Sequence, residues 1–168
     1  GRGKVRVNLL GSGTILREAI GAADLLEAEF GVPADVFSVT SFSELRREAL
    51  DAERWNMLHP GQAPRTPYVK ELLAGQSGPF VAATDYMRTV PDQIRQWVPG
   101  RYQVLGTDGY GRSDSRAALR GFFEVDRRYI ALAALKSLAD DGMLDMATVV
   151  SAMQRFGLDP DKPNPVTV

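Results

Sequence analysis

Few residues of this chain are of a type and spacing that could do chemistry. His59 is the only histidine, so any imidazole acid–base role must be its own. It lies in the run Trp55-Asn56-Met57-Leu58-His59-Pro60, which offers no nucleophile or partner base, and packing or an interface hydrogen bond is the use expected there. Asp85 and Asp108 each follow a short apolar run. They would form a carboxylate pair if those runs are neighbouring strands, although capping and turn hydrogen bonds are the commoner fate of such residues. The absence of cysteine excludes disulfides, thiolate zinc sites and a cysteine nucleophile. No spacing of His, Asp and Glu suits a metal ion.

Two glycine-bearing turns invite a phosphate-binding reading. Gly11-Ser12-Gly13 supplies the first two glycines of a dinucleotide fingerprint, but the third position is Leu16 and no ribose-binding acid follows the second apolar run; the fingerprint fails. The stretch Leu105 to Arg116 carries Gly106, Gly109 and Gly111 within six residues. Arg112 and Arg116 flank its end, and Ser113, Asp114 and Ser115 are available to cap a following helix. A strand, a glycine-rich turn and a capped helix can hold an anion, with Arg112 and the amides near Gly13 as candidates; the same pattern serves as a plain connection.

The elements that must position these residues read as alternating strands and helices. Strands are expected over Val5–Leu10, Asp35–Val39, Phe80–Thr84 and Tyr102–Gly106. A helix should run from the first turn to about Phe30, with Leu16, Ile20, Ala23, Leu26 and Phe30 on its apolar face and Gly31 closing it. A second should end near Arg54, a short one cover Tyr68–Leu73, and another span Val90–Val98 with Pro91 in its first turn. Asp126 and Asp145 cap two later helices, and Met146, Val149, Val150, Met153 and Phe156 form a stripe expected in the core. The reading is one α/β domain over residues 1–157, three layers α/β/α around a mostly parallel sheet of four to five strands, with an irregular tail at 158–168. In a parallel sheet the four turns after the strands all gather at the carboxyl edge, where open α/β sheets bind ligands.

The chain has 168 residues, room for a sizeable core. Twenty basic residues against 21 acidic ones leave a net charge of −1, which argues against nucleic acid as the main partner. The longest apolar run, Tyr129–Leu135, is too short to span a membrane. Gly1 to Lys4 lead straight into a strand without a signal peptide, as expected of a fragment.

Five segments in order carry a family resemblance: Leu9–Arg17, Ser38–Leu45, Glu53–Pro60, Ala83–Met87 and Leu105–Arg116. Together they resemble the C-terminal domain of the bacterial homodimeric-type pyruvate dehydrogenase E1 component, and the likeness extends to Asp159–Pro165; Tyr110 stands where phenylalanine is also usual. The resemblance implies a transketolase-like fold and a parent enzyme of the cytoplasm that decarboxylates pyruvate on thiamine diphosphate with Mg2+, then passes the acetyl unit to the lipoyl group of E2. In that family the cofactor lies between upstream domains, and the Gly-Asp-Gly that opens its diphosphate–magnesium motif is absent here. No catalytic, cofactor-binding or metal residue is therefore expected in this stretch, which alone should be inactive. The implied partners are the upstream domains of the same subunit, the second subunit of a homodimer, and E2. Candidate interface or anion-site residues are Gly11, Ser12, Gly13, Trp55, His59, Asp85, Asp108, Gly109, Gly111, Arg112 and Ser113. A free-standing α/β binding module with an anion site, or the C-terminal domain of another thiamine enzyme such as a transketolase, are the alternatives.

Overall fold

In the computed structural model, which describes residues 5–168, four strands lie side by side: β1 (Val7–Gly11), β2 (Ala34–Ser38), β3 (Phe80–Ala83) and β4 (Tyr102–Leu105). The expected run of Gly1–Lys4 into a strand lies outside the described residues. All pairings are parallel, in the order β2-β1-β3-β4. The register sets Gly11 beside Ser38 and Ala83, and Ala83 beside Leu105, so the turns that follow all four strands share the carboxyl edge.

Alternation along the strands builds the two sides of the core. Leu9, Val81 and Leu105 face α1 (Leu16–Phe30), α5 (Arg116–Phe122), α6 (Arg127–Asp140) and α7 (Met146–Arg155). Leu10, Phe80, Ala82 and Val104 face α2 (Phe42–Leu58), α3 (Tyr68–Leu73) and α4 (Thr89–Asp92). The three-layer α/β arrangement is the expected one. Among the described residues no helix is long and apolar enough to cross a membrane.

The helix ends follow the sequence signals. Gly31 closes α1 in the left-handed region at φ 62°, and its N–H donates to the carbonyl of Glu27. Asp126 accepts from the amides of Arg128 and Tyr129, and Asp145 from that of Ala147. Of the three capping candidates before α5, Ser115 takes the role, accepting from Ala118 N–H.

Four local readings are corrected. The buried face of α1 is Ala19, Ala22 and Leu26, while Ile20 is exposed: α1 packs closely on α6, and small residues make that approach. α2 does not stop at Arg54 but continues through Leu58, because nothing before Pro60 breaks it. The helix expected over Val90–Val98 is broken into α4 and a 3-10 turn at Arg95–Trp97. In the α7 stripe Val149 and Phe156 are buried, but Met146 is 43% and Val150 53% exposed, since both border an open apolar cleft lined also by Leu105 and Leu132.

Candidate functional site

The carboxyl edge is stitched by short polar side chains. Ser12 Oγ donates to Thr84 Oγ1 at 2.9 Å, and Thr84 Oγ1 also accepts from Tyr86 N–H at 3.2 Å; both Ser12 and Thr84 are buried. Thr107 Oγ1 donates to the Asp85 carbonyl at 2.7 Å, and its N–H to the Tyr86 carbonyl at 2.9 Å. Asp108 Oδ1 accepts from Arg88 N–H at 2.9 Å, with the Arg88 guanidinium 3.7 Å from its other oxygen. The loops after β1, β3 and β4 are thus one connected layer. Two glycines permit the close approaches: a Cβ on Gly11 would lie 2.8 Å from Leu16 Cα, and one on Gly106 2.8 Å from Arg88 N.

Asp85 and Asp108 serve different partners. Asp108 is bound to Arg88, whereas Asp85 turns toward the start of α1, accepting from Thr14 Oγ1 at 3.3 Å. Gly13 has φ 57°, and a Cβ there would sit 3.2 Å from Asp85 Oδ1. A carboxylate therefore occupies the position that an anion would take at this turn. Thr14, Asp85 and Thr107 line a shallow cleft of about 380 Å3 whose arginines are Arg116 and Arg120. Arg112 instead lies over the Phe122 ring at 4.0 Å. Gly109, Gly111 and Ser113 are exposed beside it. The turn's own residues do not fit the diphosphate of a thiamine cofactor, which would meet the Asp85 carboxylate. Among the described residues no group of three or more His, Asp and Glu is placed to hold a metal ion.

The second candidate is the end of α2. The rings of Trp55 and His59 stack with centroids 4.2 Å apart and planes 12° from parallel. The i, i+4 spacing of a helix places them so. His59 Nδ1 lies 2.8 Å from the Trp55 carbonyl, which can only accept, so Nδ1 carries the proton. The Arg65 guanidinium lies 4.0 Å from the Trp55 ring centroid. Asn56 locks that loop in place, accepting from Arg65 N–H at 2.7 Å and donating to its carbonyl at 2.9 Å. Beside this half-buried stack Met57 and Leu58 are 71% and 52% exposed. Exposed apolar side chains on a rigid helix end are what a docking surface offers.

Sequence reading missed the strongest polar cluster. Glu18 is only 8% exposed. Its Oε1 accepts from Arg120 at 3.1 Å; its Oε2 accepts from Arg127 N–H at 2.9 Å and from Arg127 Nε at 3.2 Å. Burial pushes this carboxyl up, but the hydrogen bonds from Arg127 and the charges of Arg127 and Arg120 outweigh it and hold it below the usual carboxylate range. Gly21 makes room for the Arg127 guanidinium, which a Cβ would meet at 2.6 Å. The signal available was an acid four residues before Ala22 on the buried face of α1. The cluster ties α1 to α5 and α6 and is structural.

Comparison with known proteins agrees with this architecture. The family model described as Transketolase-like TK C-terminal domain matches residues 1–126. The pyruvate dehydrogenase E1 component of Pseudomonas aeruginosa is 59% identical over 161 residues, 95% of this chain; that of Cupriavidus necator is 55% identical over 163 residues, and that of Escherichia coli K12 52% over 163. The chain spans 18% of the length of each of these relatives. Among solved structures, one titled "Split gene transketolase, inactive beta4 tetramer" aligns with a TM-score of 0.55 over 82% of this chain and 41% of its own, at 19% identity, a likeness of fold. With three quarters of its length under that family model and a parallel sheet to match, the chain belongs to the transketolase-like C-terminal domain family.

Proposed function

We propose that this chain is the C-terminal assembly domain of a bacterial pyruvate dehydrogenase E1 component. The observation that supports this is the 59% identity over 95% of the chain to a protein of that name, against 19% for the transketolase neighbour. On this reading the parent subunit decarboxylates pyruvate on thiamine diphosphate with Mg2+, both bound by upstream domains, and transfers the acetyl unit to the lipoyl group of E2 in the cytoplasm. The domain's own part is mechanical. Its stitched carboxyl-edge loops and the Trp55–His59 end of α2 are firm surfaces that pack against the upstream domains or the second subunit of a homodimer, and so brace the catalytic domains.

The test is the mass of the protein that carries this sequence in its source extract, with an assay of thiamine-dependent pyruvate decarboxylation on the same fraction. A subunit several times larger than this chain, with activity, is the expected result. A stable species of this size without activity would overturn the reading in favour of a separate binding module.

A further inference from the structure

The segment after α7 is fastened at two points to the neighbourhood of the carboxyl-edge loop. Lys162 Nζ donates to the carbonyls of Phe122 at 2.5 Å and Gly121 at 3.3 Å, and pairs with Glu124 at 3.2 Å. The same ammonium lies 5.3 Å from the Phe122 ring centroid and 5.6 Å from that of Tyr129. It meets the carbonyls at the end of α5, where a cation is favoured. Glu124 is the one non-glycine among the described residues with positive φ, at 62°; this turn is costly for an L side chain and is held by what surrounds it. Three residues after Lys162, Pro165 is buried. Its carbonyl sits where a Cβ on Gly109 would be 2.5 Å away, and Gly109 has φ 113°. Arg112, on the same loop, rests on the Phe122 ring whose backbone Lys162 holds.

Loop 106–115 is therefore gripped by Pro165 at Gly109 and, through Phe122, by Lys162 at Arg112. We propose that residues 159–168 act as a strap that sets the shape of this loop, so that releasing Lys162 loosens the carboxyl-edge surface while the sheet stays intact. Residues within the strap make it stiff: Asp159 accepts from Asp161 N–H, and Asn164 from the amides of Val166 and Thr167. The ordering of the loop needs no family reading; its consequence for subunit packing rests on the proposed assembly role.

The experiment is limited tryptic digestion of the full protein that carries this sequence, comparing wild type with Lys162→Met. Loss of one charge-assisted set of bonds should raise the rate of cutting after Arg112 and Arg116 about ten-fold, with unchanged hydrogen exchange in β1 and β3. Unchanged cutting at those arginines, with only the strap itself freed, overturns the proposal. Should Lys162→Met melt the sheet, Pro165→Asp decides instead: it changes no residue of the loop, drives the buried strap residue away from Gly109 and must give the same selective cutting, or the proposal fails. In the full-length protein the released loop should also weaken subunit packing. A released loop with packing unchanged would count against the interface reading and not against the strap.

Discussion

Replacing Glu18 by Gln should cost about 2–3 kcal/mol of stability. Three hydrogen bonds converge on this carboxylate, two of them from guanidinium groups. The amide keeps one acceptor but turns an N–H toward donors, leaving two arginines without their counter-charge. Breaking a fully buried ion pair costs about 3–5 kcal/mol. Here the Arg120 and Arg127 side chains are 22% and 49% exposed, so water takes up part of their charge and the cost falls toward the lower figure. For a domain of this size that lowers the melting temperature by about 5–10 °C. The pH dependence has a definite sign. A carboxyl held below its unfolded value stabilises the fold above that value, and loses this contribution as pH falls through the folded value. Wild type should therefore lose stability below about pH 5, and Glu18→Gln should show a shallower acid limb. Urea unfolding from pH 7 to pH 3 measures both. A variant within about 0.5 kcal/mol of wild type, the size of a neutral surface change, or one with an unchanged acid limb, refutes the clamp.

Other outcomes follow from the same geometry. Gly78 has φ 85° and its missing Cβ would fall on the Arg6 carbonyl, so Gly78→Ala should destabilise by about 3 kcal/mol or more, read by thermal melting. On α7, Val150→Lys should change stability by less than about 0.5 kcal/mol, while Val149→Lys, one residue away but buried, should cost several-fold more; equal effects would mean that the face of α7 carrying Val150 is covered in solution.

How much of this was readable in advance depended on how local the cause was. The apolar strand at Phe80–Ala83, the left-handed Gly31 and the caps at Asp126 and Asp145 are fixed by residues within a few positions, and they stand in the structure as the sequence implies. The α1 face differs from the expected one because alanine carries little hydrophobic signal, yet Ala19 and Ala22 are what let α6 approach. The α7 stripe is only partly buried because Met146 and Val150 border the open cleft shared with α6 and β4, a tertiary gap that no helical periodicity encodes. At the candidate site, the residue types of the turns were plain, but their partners were not. That Asp85 would face Gly13, and Arg112 would turn to Phe122, depends on strand order and on a loop path that no short pattern encodes. Arg65 joined Trp55 through the Asn56 lock, a contact nine residues apart across a loop holding Pro60 and Pro64.

The central claim is that the domain works by packing, and Trp55 is its most exacting probe. Trp55→Ala in the full-length protein removes the ring on which both His59 and Arg65 rest. A tryptophan at the centre of an interface is worth about 2 kcal/mol or more, so sedimentation should show subunit association weakened about thirty-fold, with activity falling at low enzyme concentration and returning at high. An association constant and a dilution profile both unchanged from wild type would contradict the account.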